Sequence, residues 1–125
     1  MNCAPTFFIL PDNYISELIT FKIKNEFMET FQQIINGEKP VLVDFYATWC
    51  APCKAMSPIV ESIGKELQGK ERVLKIDVDK NQTLAAQYQI QAVPTFMIFK
   101  KGQVVWRKAG GADKSTIMQQ ILSFI

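Results

Sequence analysis

Three short apolar runs constrain this chain more than anything else in it. They are VLVDFYA at residues 41–47, RVLKIDVD at 72–79 and TFMIFK at 95–100. Near-continuous runs of this length suit strands buried on both faces. A strand with no wet face needs a packed layer on each side. The segments between the runs can supply those layers. Phe27, Phe31 and Ile34 repeat at helical spacing, with Asn25 to cap the start and Gly37 to end the turn. Met56, Ile59, Val60, Ile63 and Leu67 mark one face of a second helix, which Gly69 can stop and which Pro58 should kink. Asn81 can cap a short helix carrying Leu84 and Tyr88, and Ile117, Ile121 and Phe124 define a last helix opening near Asp113. Lys101-Gly102 between TFMIFK and QVVWRKA reads as a tight hairpin turn. Residues 15–23 are either a first strand or the last turn of an extra helix. The expected order is β?-α-β-α-β-α-β-β-α, an α/β fold with a central mixed sheet and helices on both faces, three layers in all.

Composition removes several classes of function. A chain of 125 residues with 48% apolar and 21% charged side chains fits one domain with an ordinary core. The scattered net charge of +2 leaves no footprint for nucleic acid. No apolar run is long enough to span a bilayer. Histidine is absent, which excludes Cys-His and Ser-His-Asp catalysis and every His-containing metal site. Three cysteines, Cys3, Cys50 and Cys53, do not make a disulfide framework. Zinc would need four ligands, and no second CxxC follows the first, so no metal is expected. The first fourteen residues lack the charged and apolar regions of a signal peptide. A cytoplasmic protein is expected, the alternative being the mature form of an exported or periplasmic one.

The chemistry sits in Trp49-Cys50-Ala51-Pro52-Cys53-Lys54, where a buried strand ends and a helix begins. Thiolate is the reactive form of cysteine, and a helix N-terminus favours anions. Cys50 should therefore have a lowered pKa. Cys53 falls one turn inside the helix on the same face, within reach of Cys50 and less exposed. One exposed attacker and one resolving thiol are what dithiol exchange requires. Pro52 fixes the turn between them. Two ordinary core cysteines are the bland alternative, which the strand-to-helix placement, the flanking Trp and the internal Pro disfavour. Asp44 interrupts the first apolar run, and a central strand offers it little water, so it is expected to be buried. Lys75 in RVLKIDV is its candidate neighbour across the sheet. Pro94 in Val93-Pro94-Thr95 belongs at a strand start, and propensity alone makes its peptide bond trans.

WCAPC after VLVDFYAT, AVPTFMIFKKG downstream and KAGGA before the last helix resemble the thioredoxin family over residues 22–125. The resemblance implies a thioredoxin domain at 22–125 behind an N-terminal extension at 1–21, partly helical or a first strand, in which FFIL and the Tyr14–Ile19 stretch add a helix or lie on the groove. It implies that Cys50 is the nucleophile and Cys53 the resolving thiol. Asp44 corresponds to the buried acid that carries the proton of Cys53, and Lys75 to its charged neighbour. Pro94 corresponds to a cis-proline facing the disulfide, and Val93 to the residue whose backbone pairs with substrate. Trp49, Ala51, Pro52 and Gly110 correspond to the surface that meets it. The implied activity is reduction of protein disulfides by a monomer with no bound cofactor. Its partners would be disulfide-containing clients and a dithiol donor, with electrons from NADPH through thioredoxin reductase. The chain departs from the family pattern at Ala51, where Gly is usual, and at Tyr46, where many members have Trp. Cys3 has no counterpart and is expected to be dispensable. An oxidase or isomerase of the same fold is the nearer alternative, disfavoured because no His stands between the cysteines. A non-catalytic binding subunit is the other, disfavoured because binding needs no dithiol.

Overall fold

The computed structural model of the chain describes the backbone of residues 7–9 and the whole of residues 30–68 and 71–125. Its order is β1 (Phe7–Ile9), α1 (Phe31–Ile35), β2 (Val41–Tyr46), α2 (Ala51–Leu67), β3 (Arg72–Asp77), α3 (Gln82–Gln87), β4 (Thr95–Lys100), β5 (Gln103–Ala109) and α4 (Lys114–Ser123). The strands form one mixed sheet in the order β1-β3-β2-β4-β5. β3 lies parallel to both β1 and β2, whereas β4 runs antiparallel to β2 and β5 to β4.

Alternation along the strands divides the core between two layers of helices. Val43, Phe45, Leu74, Ile76, Met97 and Phe99 pack with Phe31, Ile34 and Ile35 of α1 and Leu84 of α3. Leu42, Val73, Phe96 and Ile98 face the other way, onto Met56, Val60, Ile63 and Leu67 of α2 and Ile117 and Ile121 of α4. The three apolar runs are thus sandwiched, as continuous burial of VLVDF and TFMIF requires. On the first face Phe99 meets Phe31 edge-on at 5.6 Å and Tyr88 at 5.2 Å between ring centroids.

Several boundaries differ from the sequence expectation, each for a local reason. The helix expected from Phe27 starts at Phe31, because Thr30 and Gln33 form a reciprocal capping box there. Asn25 lies outside the described residues, as do the strand or helix expected at 15–23 and Cys3. At the C-terminus of α2 the left-handed cap is Gln68 rather than Gly69, and its N–H closes the last turn on the Gly64 carbonyl. Asn81 precedes α3 as expected but does not cap it with its side chain, which donates instead to the Asp77 carbonyl. In the N-terminal extension, expected to be partly helical, a first strand or a groove segment, Phe7–Ile9 pairs in register with Val73–Lys75 as an edge strand.

The hairpin turns at Lys101 and Gly102, both with positive φ, the geometry that suits a two-residue connection between twisted strands. Their N–H groups donate to Gly37 and Ile35, joining the hairpin to the end of α1. Gly102 has φ +79, and a Cβ there would lie 2.5 Å from Asn36 Oδ1. Gly102→Ala is therefore expected to cost about 1–2 kcal/mol in denaturant unfolding. Because this turn lies at the end of β4 away from Thr95, disulfide reduction should continue at the wild-type rate.

Candidate active site

β2 leaves the sheet at Tyr46, and five residues later the chain enters α2 at Ala51. Cys50 is the N-cap of that helix, in extended conformation, with Pro52 in the first turn. Its N–H bonds back to the Ala47 carbonyl, and its Sγ accepts the N–H of Cys53 at 3.1 Å. Cys50 and Cys53 form a disulfide with Cα atoms 5.3 Å apart. Cys53 also begins the buried stripe of α2 that continues through Met56, Val60, Ile63 and Leu67.

The expected difference in exposure is absent in this oxidised form, since Cys50 is 4% and Cys53 5% exposed. Asymmetry lies instead in what reaches each sulfur. Cys50 Sγ receives a backbone donor at a helix N-terminus, which stabilises negative charge there once the disulfide opens. Ala47 packs with the two cysteines, and Tyr46, Val78 and Val93 enclose them. Ala51 and Pro52 remain exposed on the rim.

Asp44 and Lys75 are register partners on β2 and β3. By the alternation of the strands they face the α2 layer, the side on which Cys53 is buried. Asp44 is 2% exposed, and its Oδ1 has no hydrogen-bond partner. Burial pushes its carboxyl up to about 7, and the nearby Lys75 ammonium opposes that rise. Lys75 Nζ reaches Ser57 Oγ at 3.3 Å and sits 4.9 Å from the centre of the Tyr46 ring. Cys53, Ser57 and Lys75 line one pocket of about 270 Å³ together with Tyr46, Ala47, Thr48 and Lys54. The Cys53 side of the disulfide thus has a small recess that also holds the charged neighbour of Asp44.

The opposite wall is the loop before β4. The Val93–Pro94 peptide is cis, against the propensity for trans. The Val93 carbonyl oxygen lies 3.6 Å from Cys50 Sγ. Thr95 Oγ1 donates to the Ala92 carbonyl at 2.6 Å, and the Gly110 N–H donates to the Pro94 carbonyl at 2.7 Å. Gly110 has φ +86, a conformation that favours glycine, and the space where a Cβ would point is open.

Trp49 is 70% exposed, and its indole N–H donates to Asp79 Oδ2 at 2.8 Å. Asp79 is held in turn by Asp77, whose Oδ1 accepts the N–H groups of Asp79 and Lys80. Neither aspartate was singled out from the sequence. The signal was Asp-Val-Asp at a strand end, where a carboxylate commonly accepts a backbone N–H two residues on. Around the disulfide the structure brings together Trp49, Ala51, Pro52, Val93 and Pro94, ties Gly110 to Pro94, and sets Lys75 with Cys53 in one recess. Among the described residues no cluster of three His, Cys, Asp or Glu side chains could hold a metal ion. No helix among them is long and apolar enough to cross a membrane.

A vicinal dithiol at a strand-to-helix junction, facing a cis-proline loop on a mixed sheet, is the centre of a thiol-disulfide oxidoreductase. The thioredoxin family profile matches residues 17–123. A thioredoxin-like protein of Synechocystis sp. is 45% identical over 103 residues, covering 82% of this chain and 98% of its own. Thioredoxin of Porphyra purpurea is 45% identical over 94 residues, 75% of this chain and 88% of its own. Among solved structures, thioredoxin of Malassezia sympodialis superposes with a TM-score of 0.74 at 30% identity, over 99% of this chain and 95% of that one. The chain belongs to the thioredoxin family, and its Cys50–Cys53 pair makes it a protein-disulfide reductase.

The buried carboxyl carries a consequence for stability. Asp44 titrates near 7 when folded and about 3.9 when unfolded, so the folded state keeps a proton that the unfolded state releases. Ionisation of Asp44 therefore adds no cost below about pH 4. The cost grows between about pH 4 and pH 7 and is constant above, at roughly 4 kcal/mol. Asp44→Asn should raise the stability of the oxidised protein at pH 8 by about 2–4 kcal/mol, with the gain shrinking toward pH 4. Denaturant melts across this range check both the sign and the window.

Proposed function

We propose that Cys50 attacks and Cys53 resolves. The observation that carries this assignment is the Cys53 N–H on Cys50 Sγ at the N-cap of α2, which favours the thiolate at Cys50 over one at Cys53. The Cys50 thiolate attacks one sulfur of a client disulfide, forming a mixed disulfide and expelling a client thiolate, which takes up a proton. The Cys53 thiol then gives its proton to the Asp44 carboxylate, and the new thiolate attacks Cys50 Sγ. The second client thiolate leaves, and two electrons have passed from the Cys50–Cys53 pair to the client. A carboxyl that titrates near 7 suits proton transfer at neutral pH in either direction. Lys75 sets how readily Asp44 gives up that proton.

The client meets the protein over Trp49, Ala51, Pro52 and Gly110 and along the Val93–Pro94 loop. There the backbone of Val93 pairs with an extended client segment by strand addition. The family implies a dithiol donor and disulfide-bearing clients. We take the donor to be thioredoxin reductase with electrons from NADPH, and the compartment to be the cytoplasm, where dithiols are kept reduced.

Cys50→Ser is expected to abolish insulin reduction. Cys53→Ser should instead accumulate mixed disulfides through Cys50, resolved by non-reducing electrophoresis and mass spectrometry. Mixed disulfides trapped through Cys53 in the Cys50→Ser protein would reverse the assignment. Asp44→Asn should slow the resolving step without slowing the first attack. In single-turnover reactions this appears as a longer-lived mixed disulfide near pH 7.

A further inference from the structure

We propose that Arg107 is a positioning residue for client recognition: it fastens the chain entering the Val93–Pro94 loop to β5, and so fixes the backbone that a client disulfide meets. This inference rests on the reading that clients pair with the Val93 backbone.

Arg107 lies on β5 opposite Met97 of β4, on the face of the sheet that carries α1 and α3. Its guanidinium donates through Nη1 to the Tyr88 carbonyl and through Nη2 to the Gln89 carbonyl, both at 2.7 Å. These carbonyls lie just beyond α3, where Gln89 turns left-handed with φ +55. A planar guanidinium can bridge two such acceptors at once, which a lysine ammonium cannot do with the same fixed geometry. Four residues after Gln89 comes Val93, whose carbonyl oxygen lies 3.6 Å from Cys50 Sγ. The far end of the same loop is also tied to this part of the sheet, because the Gly110 N–H bonds to the Pro94 carbonyl.

Both ends of the loop are therefore fastened within a few residues of each other, by Arg107 on β5 and by Gly110 directly after it. Between those ties Thr95 Oγ1 holds the Ala92 carbonyl, and the Ile90 N–H holds the Ala85 carbonyl. Nothing in this arrangement touches the sulfurs through Arg107 itself. Its loss should leave the chemistry of the dithiol intact and loosen only the strand-like backbone beside it. Chemistry and recognition then separate, because a small disulfide needs the sulfurs alone and a protein client needs the loop as well.

The test uses prereduced Arg107→Met and Arg107→Lys proteins, mixed with insulin or with hydroxyethyl disulfide and followed by acid quenching and alkylation. For Arg107→Met the rate constant with insulin should fall about threefold to tenfold, the scale of one or two exposed hydrogen bonds. The rate with hydroxyethyl disulfide and the reduction potential of Cys50–Cys53 should stay at wild-type values. Arg107→Lys, which can reach one carbonyl, should fall between. An equal loss on both disulfides, or a changed potential, would overturn the proposal in favour of general damage. Amide exchange at Ile90 and Gly110 separates the two layers of the argument. Faster exchange with an intact insulin rate overturns the pairing of clients with Val93, and the inference with it. Unchanged exchange with an intact insulin rate overturns the role of Arg107 alone.

Discussion

The burial of β2 on both faces is the constraint from which the site follows. Val41, Leu42, Val43 and Phe45 have almost no contact with solvent, so helices must cover both sides of the strand and the chain must leave the sheet as soon as the apolar run ends. It leaves at Tyr46 and turns directly into α2, which places Cys50 where the free N–H groups of a helix begin. The same burial makes Asp44 costly. A carboxyl at the centre of the sheet, with one oxygen unpartnered, holds its proton to near neutrality. Fold stability is thereby sacrificed at the position we propose for proton exchange.

Much of this was legible from residue order. VLVDFYA, RVLKIDVD and TFMIFK became β2, β3 and β4 because continuous apolar runs of that length admit few other outcomes, and the Lys101-Gly102 turn set the hairpin. The dithiol could be read from Cys50 and Cys53 at a strand-to-helix junction, and the depth of Asp44 from its place in an apolar run. Helix ends were less legible. The start of α1 depends on two side chains, Thr30 and Gln33, bonding reciprocally, and Asn25 matched the usual cap composition equally well. Gln68 took a left-handed cap that composition assigns to glycine.

The site residues missed from the sequence share a feature: each acts through the backbone or through another side chain. Asp77 holds Asp79, which holds Trp49. Arg107 holds two carbonyls upstream of Val93. Such residues have ordinary surface composition, and only the folded geometry distinguishes them from solvated charges. The cis peptide before Pro94 is similar, since local preference favours trans and the surrounding ties at Ala92 and Gly110 belong to tertiary structure.

The sheet ends at β5, which offers an outer edge of seven residues. Its register with β4 shifts between Ile98 and Phe99, with Val105 as the extra residue. A bulge increases local twist and interrupts the even spacing of donors and acceptors along a strand. Lys101, Arg107 and Lys108 add positive charge on or beside the same edge. A second polypeptide approaching from the side therefore meets a bent, cationic template with a break in its middle. Growth of the sheet into a continuous intermolecular ladder is discouraged, so the open edge of this protein-disulfide reductase is a poor template for pairing with another chain.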